Sequence, residues 1–348
     1  MERKEMPAPT VPAPASIGLM LSYKCSASCK HCMYACSPSW SADWIERSRL
    51  DTVLRQLARY IRPARLGKNS IELNAGLHFT GGEPFLNYEL LRDAVERASS
   101  YDIPSLFVET NCFWCTNDDK TRDRFSELKG HGLSGILISV NPFYLEYIPF
   151  ERTDRAIQIG GEIFGRNTMV YQGVYYNEFS RRGIMGTVPF EEYVSEYEPD
   201  ITGRAEFFLN GRAPYAVPKL LPGVFPKHSA RQLCSIPCSP SFIRPWHNHI
   251  DNYGNYMPGY CGGISFGNAE KLNEIVGTEI DPEKTPVLRF LAKDDFEGLL
   301  RFAEDYGFRL DKEGYYSKCH LCTEIRRYLS AHREFRELAP IEFYQHLL

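Results

Sequence analysis

Between Ile17 and Ala213 short apolar runs alternate with longer amphipathic stretches, the pattern of repeated strand–helix units around a parallel sheet. Six units can be counted, with strands expected near Ile17–Ser22, Ile71–Phe79, Ser105–Thr110, Gly135–Val140, Thr168–Gln172 and Ala205–Leu209. Leu50, Val53, Leu54, Leu57 and Ile61 recur at helical spacing and share one face, and Asn87 is placed to cap a second helix through Leu90, Leu91 and Val95. Beyond Ala213 the character changes. Pro214, Pro218, Pro222 and Pro226 read as a connection, HIDNYGNYMPGYC reads as a hairpin turning at Asn252–Asn255, and two helical stretches follow at Val287–Tyr306 and Glu324–Arg336. Residues 1–15 are rich in Pro and Ala, carry no hydrophobic period and read as a flexible tail. The expected division is a tail over 1–15, an α/β domain over 16–213 and a C-terminal extension over 214–348, with no repeat and no linker long enough to free the last part.

Composition narrows the function classes. The net charge of −4 over 348 residues mixes both signs, which argues against nucleic acid as partner. No window holds 18 apolar residues and the N-terminus lacks the order of a signal peptide, so the expectation is a cytoplasmic protein with no membrane partner. Eleven cysteines are the anomaly. A reducing compartment does not maintain disulfides, and an odd count cannot pair fully, so metal ligation is the economical explanation. They also cluster, at Cys25/Cys29/Cys32/Cys36, Cys112/Cys115, Cys234/Cys238, Cys261 and Cys319/Cys322, where core-filling cysteines would scatter.

Cys25, Cys29 and Cys32 are spaced C-x3-C-x2-C after the first expected strand. Three thiolates on one loop can hold three irons of a [4Fe–4S] cube and leave the fourth open; a zinc site or a buried cysteine trio are the alternatives. The second motif, FTGGEPFLN at Phe79–Asn87, sets Gly81, Gly82 and Glu83 at the end of the second strand. There the glycines permit close backbone approach to a ligand and Glu83 can accept from an ammonium. Through CSASCKHC (Cys25–Cys32) and TGGEP (Thr80–Pro84) the chain resembles the radical-SAM superfamily. The resemblance implies a partial (β/α)6 barrel and a [4Fe–4S] cluster on Cys25, Cys29 and Cys32 that binds S-adenosylmethionine (SAM). An electron from such a cluster cleaves SAM to a 5′-deoxyadenosyl radical. It also implies that His31 lies near the adenine and that Gly81, Gly82 and Glu83 contact the methionine amino group. Asn111, Ser139 and Asn141 are candidates for ribose or carboxylate contacts, or else turn-capping residues.

Cys238, Cys261, Cys319 and Cys322 could saturate a second cube. Their order, with GNYMPGYCGGISFGN (Gly254–Asn268) and NGRAP (Asn210–Pro214), resembles the twitch/SPASM extension that follows many radical-SAM barrels and implies an auxiliary [4Fe–4S] cluster. Cys234 competes with Cys238 as first ligand, and a zinc knuckle from the same cysteines stays open. Cys112 and Cys115 are expected at the barrel mouth, where a thiol could return a hydrogen atom to a substrate radical; buried bystanders are the alternative. A third cluster on Cys36, Cys112, Cys115 and Cys234 is arithmetically possible. The whole pattern most resembles radical-SAM enzymes that modify peptides or proteins by epimerisation, cross-linking or oxidation. The similar epimerases carry adjacent cysteines where this chain has Cys261 followed by Gly262. A small-molecule dehydrogenase using the auxiliary cluster as electron acceptor is the rival, and a non-catalytic iron–sulfur carrier a third reading. The resemblance also implies a flavodoxin, ferredoxin or reductase as electron donor, and leaves room for a separate protein that recognises a peptide substrate.

Overall fold

The computed structural model describes residues 8–41, 43–197, 201–332 and 334–348. Its frame is a sheet of seven strands: β1 (Ser16–Met20), β2 (Gly76–Thr80), β3 (Phe107–Thr110), β4 (Gly135–Ser139), β5 (Thr168–Tyr171), β6 (Asn248–Ile250) and β7 (Tyr256–Met257). They lie in the order β5-β4-β3-β2-β1-β6-β7. β1 to β5 are mutually parallel, β6 is parallel to β1, and β7 closes an antiparallel hairpin on β6. The crossovers are the helices Arg47–Leu57, Tyr88–Ser100, Asp118–Gly130 and Phe150–Phe164. Leu50, Val53, Leu54 and Leu57 face the sheet fully buried. Asn87 accepts from the Leu90 amide at 3.3 Å, capping the next helix as its position suggests.

Five of the six expected parallel strands form. The second begins only at Gly76, because Glu72–Ala75 closes a turn first. The sixth, Ala205–Leu209, does not form. Gln172 turns away in the left-handed region (φ 65°), and its side-chain amide takes over the two bonds a neighbouring strand would have made, donating to Glu206 O at 2.7 Å and accepting from Glu206 N at 3.2 Å. The sixth parallel strand is instead β6, contributed by the hairpin and laid beside β1.

Four other expectations are corrected. The described part of the tail is docked: Val11 is buried and exchanges backbone bonds with Gly277 and Thr278, while the Ile280 amide donates to Pro9 O. The start of the Pro-rich connection is a helix, Ala213–Leu220, with Pro214 in its first turn and Pro218 inside it. The stretch Val287–Tyr306 is two helices, Pro286–Ala292 and Phe296–Asp305, separated where Asp294 takes a positive φ of 55°. The last long helix starts at Lys318 rather than Glu324, because Ser317 caps it by accepting from the His320 amide.

Candidate active site

One cavity of about 190 Å³ lies at the carboxyl ends of the strands. Its walls include Thr80 from β2, Glu109 and Thr110 from β3, Leu137 and Ser139 from β4, Tyr171 from β5 and His249 from β6, together with His31 to Tyr34 beyond β1. A single cavity touched from β2 to β6 and from the loop beyond β1 requires the sheet to curl into an open barrel. On β4 the lining positions, Leu137 and Ser139, are two apart, as the pleat dictates.

The cysteine loop leaves β1 and turns back on itself. The Cys25 amide donates to Ser37 O and the Cys32 amide to Cys29 O, both at 3.1 Å. Cys25 and Cys29 are buried and Cys32 half-buried; all are free thiols. Burial pushes the Cys29 thiol well up, and Cys25 and Cys32 are close enough to add to the shift. Arg212 holds the loop from behind, donating to Cys29 O at 2.9 Å, Ala35 O at 2.6 Å and Cys36 O at 3.1 Å, with its charge beside the thiols.

The Gly81–Glu83 turn clasps that loop. The Gly82 amide donates to Ser22 O at 2.8 Å and the Glu83 amide to Lys24 O at 3.0 Å. The glycines border the cavity, yet what they first make room for is the cysteine loop itself: a Cβ on Gly82 would stand 1.9 Å from Lys24 O. Glu83 is buried and accepts from the Phe85 amide (3.2 Å), the Thr110 hydroxyl (2.9 Å) and the Asn111 amide (2.8 Å). Burial outweighs these bonds and pushes its carboxyl up to about 7.

His31 lines the cavity stacked on Phe143, ring centroids 4.5 Å apart, with Tyr144 edge-on at 5.2 Å. Burial, with the Arg212 charge, pushes it down to about 3, so it is neutral. Asn111 and Ser139 also line the cavity; the Asn111 amide donates to Ser26 Oγ at 3.0 Å and lies 3.9 Å from Cys25 Sγ. Asn141 is outside the lining. It caps Pro142–Leu145 by accepting from the Phe143 and Tyr144 amides, and its Nδ2 donates to His31 Nε2 at 3.4 Å, so it orients a ring rather than meeting a ligand.

Cys112 and Cys115 are not at the mouth. Both are fully buried, neither lines the cavity, and each sulfur faces the other. The cause is local: Cys112 takes a φ of 65° and its amide bonds Thr110 Oγ1, which folds the N-C-F-W-C turn inward beneath Trp114 and Phe85, stacked at 4.1 Å.

Cys238, Cys261, Cys319 and Cys322 form a second group, each close enough to others of the four to shift their ionisation. Cys261 ends the β6–β7 hairpin, and Cys319 and Cys322 occupy the first turns of Lys318–Ser330. The buried Arg326 guanidinium faces Cys322 and Cys261 and donates to Gly262 O at 2.7 Å. Cys234 stands apart, facing Glu297 and Lys318. Cys36 faces Cys32 and Cys25, so among the described residues Cys36, Cys112, Cys115 and Cys234 do not converge. Four thiolates from these segments are the donor set of either a zinc site or a saturated [4Fe–4S] cube.

Sequence reasoning missed Glu109, Tyr34, His247, His249 and Tyr260 in the cavity. The two histidines carried a signal, H-N-H at strand spacing, but only the β1–β6 pairing aims it inward.

No family model matches the chain. Over 133 residues it is 23% identical to YydG of Bacillus subtilis (strain 168), whose name assigns it to peptide biosynthesis; the match covers 38% of this chain and 38% of that protein. Among solved structures it is similar to BtrN in complex with AdoMet and 2-DOIA (12% identity, 85% of this chain and 91% of that one, TM-score 0.39). It is also similar to anSMEcpe with bound AdoMet and the Kp18Cys peptide (12%, 96% and 99%, 0.43) and to Streptococcus suis SuiB bound to S-adenosylmethionine (14%, 84% and 68%, 0.32). What the chain itself presents is a parallel β/α sheet whose first strand runs into a C-x3-C-x2-C loop, clasped from the second strand by G-G-E-P, the two motifs on which its resemblance to the radical-SAM superfamily rests. Among the described residues no helix is long and apolar enough to cross a membrane.

Proposed function

We propose that the chain cleaves SAM reductively and abstracts hydrogen from a residue of a peptide or protein. The observation that carries this reading is the convergence of the Cys25, Cys29 and Cys32 thiols beside the cavity that Gly81, Gly82 and Glu83 border. A [4Fe–4S] cluster on those thiols, with SAM on its remaining iron, would supply the 5′-deoxyadenosyl radical. The chain's own groups divide the remaining tasks. Glu83, fixed by three hydrogen bonds, is placed to accept from the SAM ammonium. His31 on its Phe143 stack offers a neutral face to the adenine, Ser139 and Asn111 offer polar contacts, and Arg212 offsets the negative charge of the loop.

Glu206, Phe207 and Phe208 also line the cavity beside Gln172, whose amide is spent on the Glu206 backbone, and two aromatic rings with a carboxylate suit a peptide segment. The match to a protein named for peptide biosynthesis supports the same substrate class. Cys238, Cys261, Cys319 and Cys322 would hold an auxiliary [4Fe–4S] cluster, with Cys238 rather than Cys234 as first ligand. A flavodoxin, ferredoxin or reductase would deliver the electron.

Protein reconstituted without oxygen should contain about eight iron and eight sulfide per chain, as two cubes require, and on reduction should release 5′-deoxyadenosine and methionine from SAM. Replacing Cys25, Cys29 and Cys32 together by Ala should abolish the cleavage and leave about four iron. Equal SAM turnover by that variant overturns the reading.

A further inference from the structure

Beside the cavity, three histidines meet. His78 on β2, His249 on β6 and His247 just before it have ring centroids 5.2 to 5.6 Å apart. One ring nitrogen from each lies within 4.8 Å of the other two. The register explains the meeting: Gly18 on β1 pairs with His78 on one side and His249 on the other, so the two side chains flank a position that has none. A Cβ on Gly18 would fall 2.5 Å from His78 Nε2 and 2.6 Å from His249 Nε2. The glycine keeps open the space into which both nitrogens point.

The nitrogens are also prepared. His247 Nδ1 donates to Leu73 O at 2.8 Å, and His249 Nδ1 meets Gly259 O, an acceptor only, at 3.1 Å with the Tyr34 hydroxyl at 2.8 Å. The Leu73 carbonyl fixes the His247 tautomer that leaves Nε2 with a lone pair, as the outer partners of metal-bound histidines do, and His249 takes the same tautomer when its Nδ1 donates to Gly259 O. His78 is 1% exposed and neither ring nitrogen has a hydrogen-bond partner among the described residues, an arrangement that is unfavourable if nothing binds there. Glu109 supplies the nearest carboxylate, its Oε1 3.4 Å from His78 Nε2 and its Oε2 accepting from the Thr80 hydroxyl at 2.7 Å. His247 also takes a positive φ of 52°, backbone strain of the kind that clusters at functional sites.

We propose that His78, His247 and His249 bind a divalent transition-metal ion, zinc or iron(II), with Glu109 beside it and the remaining position facing the cavity. Three imidazoles and a carboxylate are borderline donors that suit these ions and not calcium or magnesium. Small ring rotations bring nitrogens 4.8 Å apart to the roughly 3.4 Å that bonds of about 2.1 Å demand. Burial pushes all three rings down, His247 to about 4, so they are neutral and ligand-competent at pH 7. His247, His249 and Glu109 line the cavity, so the ion could hold a carbonyl or carboxylate oxygen of the substrate while hydrogen is abstracted nearby. The site uses no cysteine, and its occupancy does not depend on SAM cleavage.

The test is to add zinc to the reconstituted holoenzyme, remove the excess, and measure metal content together with the zinc K-edge X-ray absorption. The expected result is one retained zinc per chain in addition to the cluster iron, with nitrogen or oxygen neighbours at about 2.0–2.1 Å and no sulfur at 2.3 Å. His78→Phe keeps a planar ring on its Phe107 stack but no nitrogen. That variant and His249→Gln should each keep their iron and lose the zinc. No retained zinc in the wild-type protein, zinc with sulfur neighbours, or zinc retained by both variants overturns the proposal. The wild-type spectrum decides the matter even if a variant fails to fold.

Discussion

Gly82 and Cys112 set the limits of the site one residue at a time. With only 1.9 Å between a Cβ at Gly82 and Lys24 O, and 2.3 Å to Lys24 C, any side chain there would have to move backbone, and the backbone it meets carries Cys25. Cys112 and Cys115 define the opposite boundary, since their sulfurs face each other in the core and not the cavity. Replacing either by Ala should therefore cost stability, about 1–2 kcal/mol for a buried group of this size, read as a lower Tm. Release of 5′-deoxyadenosine and product per SAM should be unchanged. Loss of product with continued SAM cleavage in either variant would restore the hydrogen-donor role. The cysteine triad was legible in the sequence because its members share one short loop, so spacing alone fixes their convergence. The histidine trio was not, because His78 and His249 meet only through the register of Gly18 between them.

At the scale of elements, β1 to β5 and their crossover helices could be read because each is an apolar run or stripe with its own turn signals. Ala205–Leu209 has a strand's composition, but a side chain, Gln172, took the partner's bonds. β6 was legible as one arm of the hairpin that forms, but at three residues it carries no period to place it beside β1. The end of the hairpin shows why one feature of the similar epimerases has no counterpart. A Cβ on Gly262 would come 2.5 Å from the Phe343 ring, and one on Gly263 2.3 Å, so the Glu342–Gln345 helix packs where a vicinal thiol would stand. Gly262→Cys should destabilise the chain by roughly 1–3 kcal/mol through overpacking. Combining it with Phe343→Ala should recover part of that loss, a coupling of about 0.5–3 kcal/mol in a double-mutant cycle. Strict additivity of the two substitutions would show that the helix does not set the limit.

For the molecule as a whole, the decisive feature is that β1 sits between β2 and β6, so the barrel and the extension share one ladder. The division expected at residue 213 falls where a helix begins, yet the contacts across it are numerous. Arg212 donates to His346 O at 3.4 Å, Tyr23 donates to Asp251 at 3.1 Å, the His247 amide donates to Ser16 Oγ at 2.7 Å, and Arg49 reaches Asn252 O and Glu270. Asp251 in turn accepts from the Tyr253 and Asn255 amides and closes the hairpin turn. A chain ending at residue 213 would leave β1 as an open edge, with Ile17 and Leu19 losing their cover and an unpaired ladder free to join another copy. The complementary piece, residues 214–348, would keep only the two-stranded β6–β7 hairpin, which is marginal without a third strand. Neither piece should fold alone: each should aggregate or elute as an expanded monomer on size exclusion and show no cooperative thermal transition, whereas the full chain melts in one. A soluble 1–213 fragment with a sharp melt of its own would mean that the ladder to β6 adds little and that the extension is a separable domain after all.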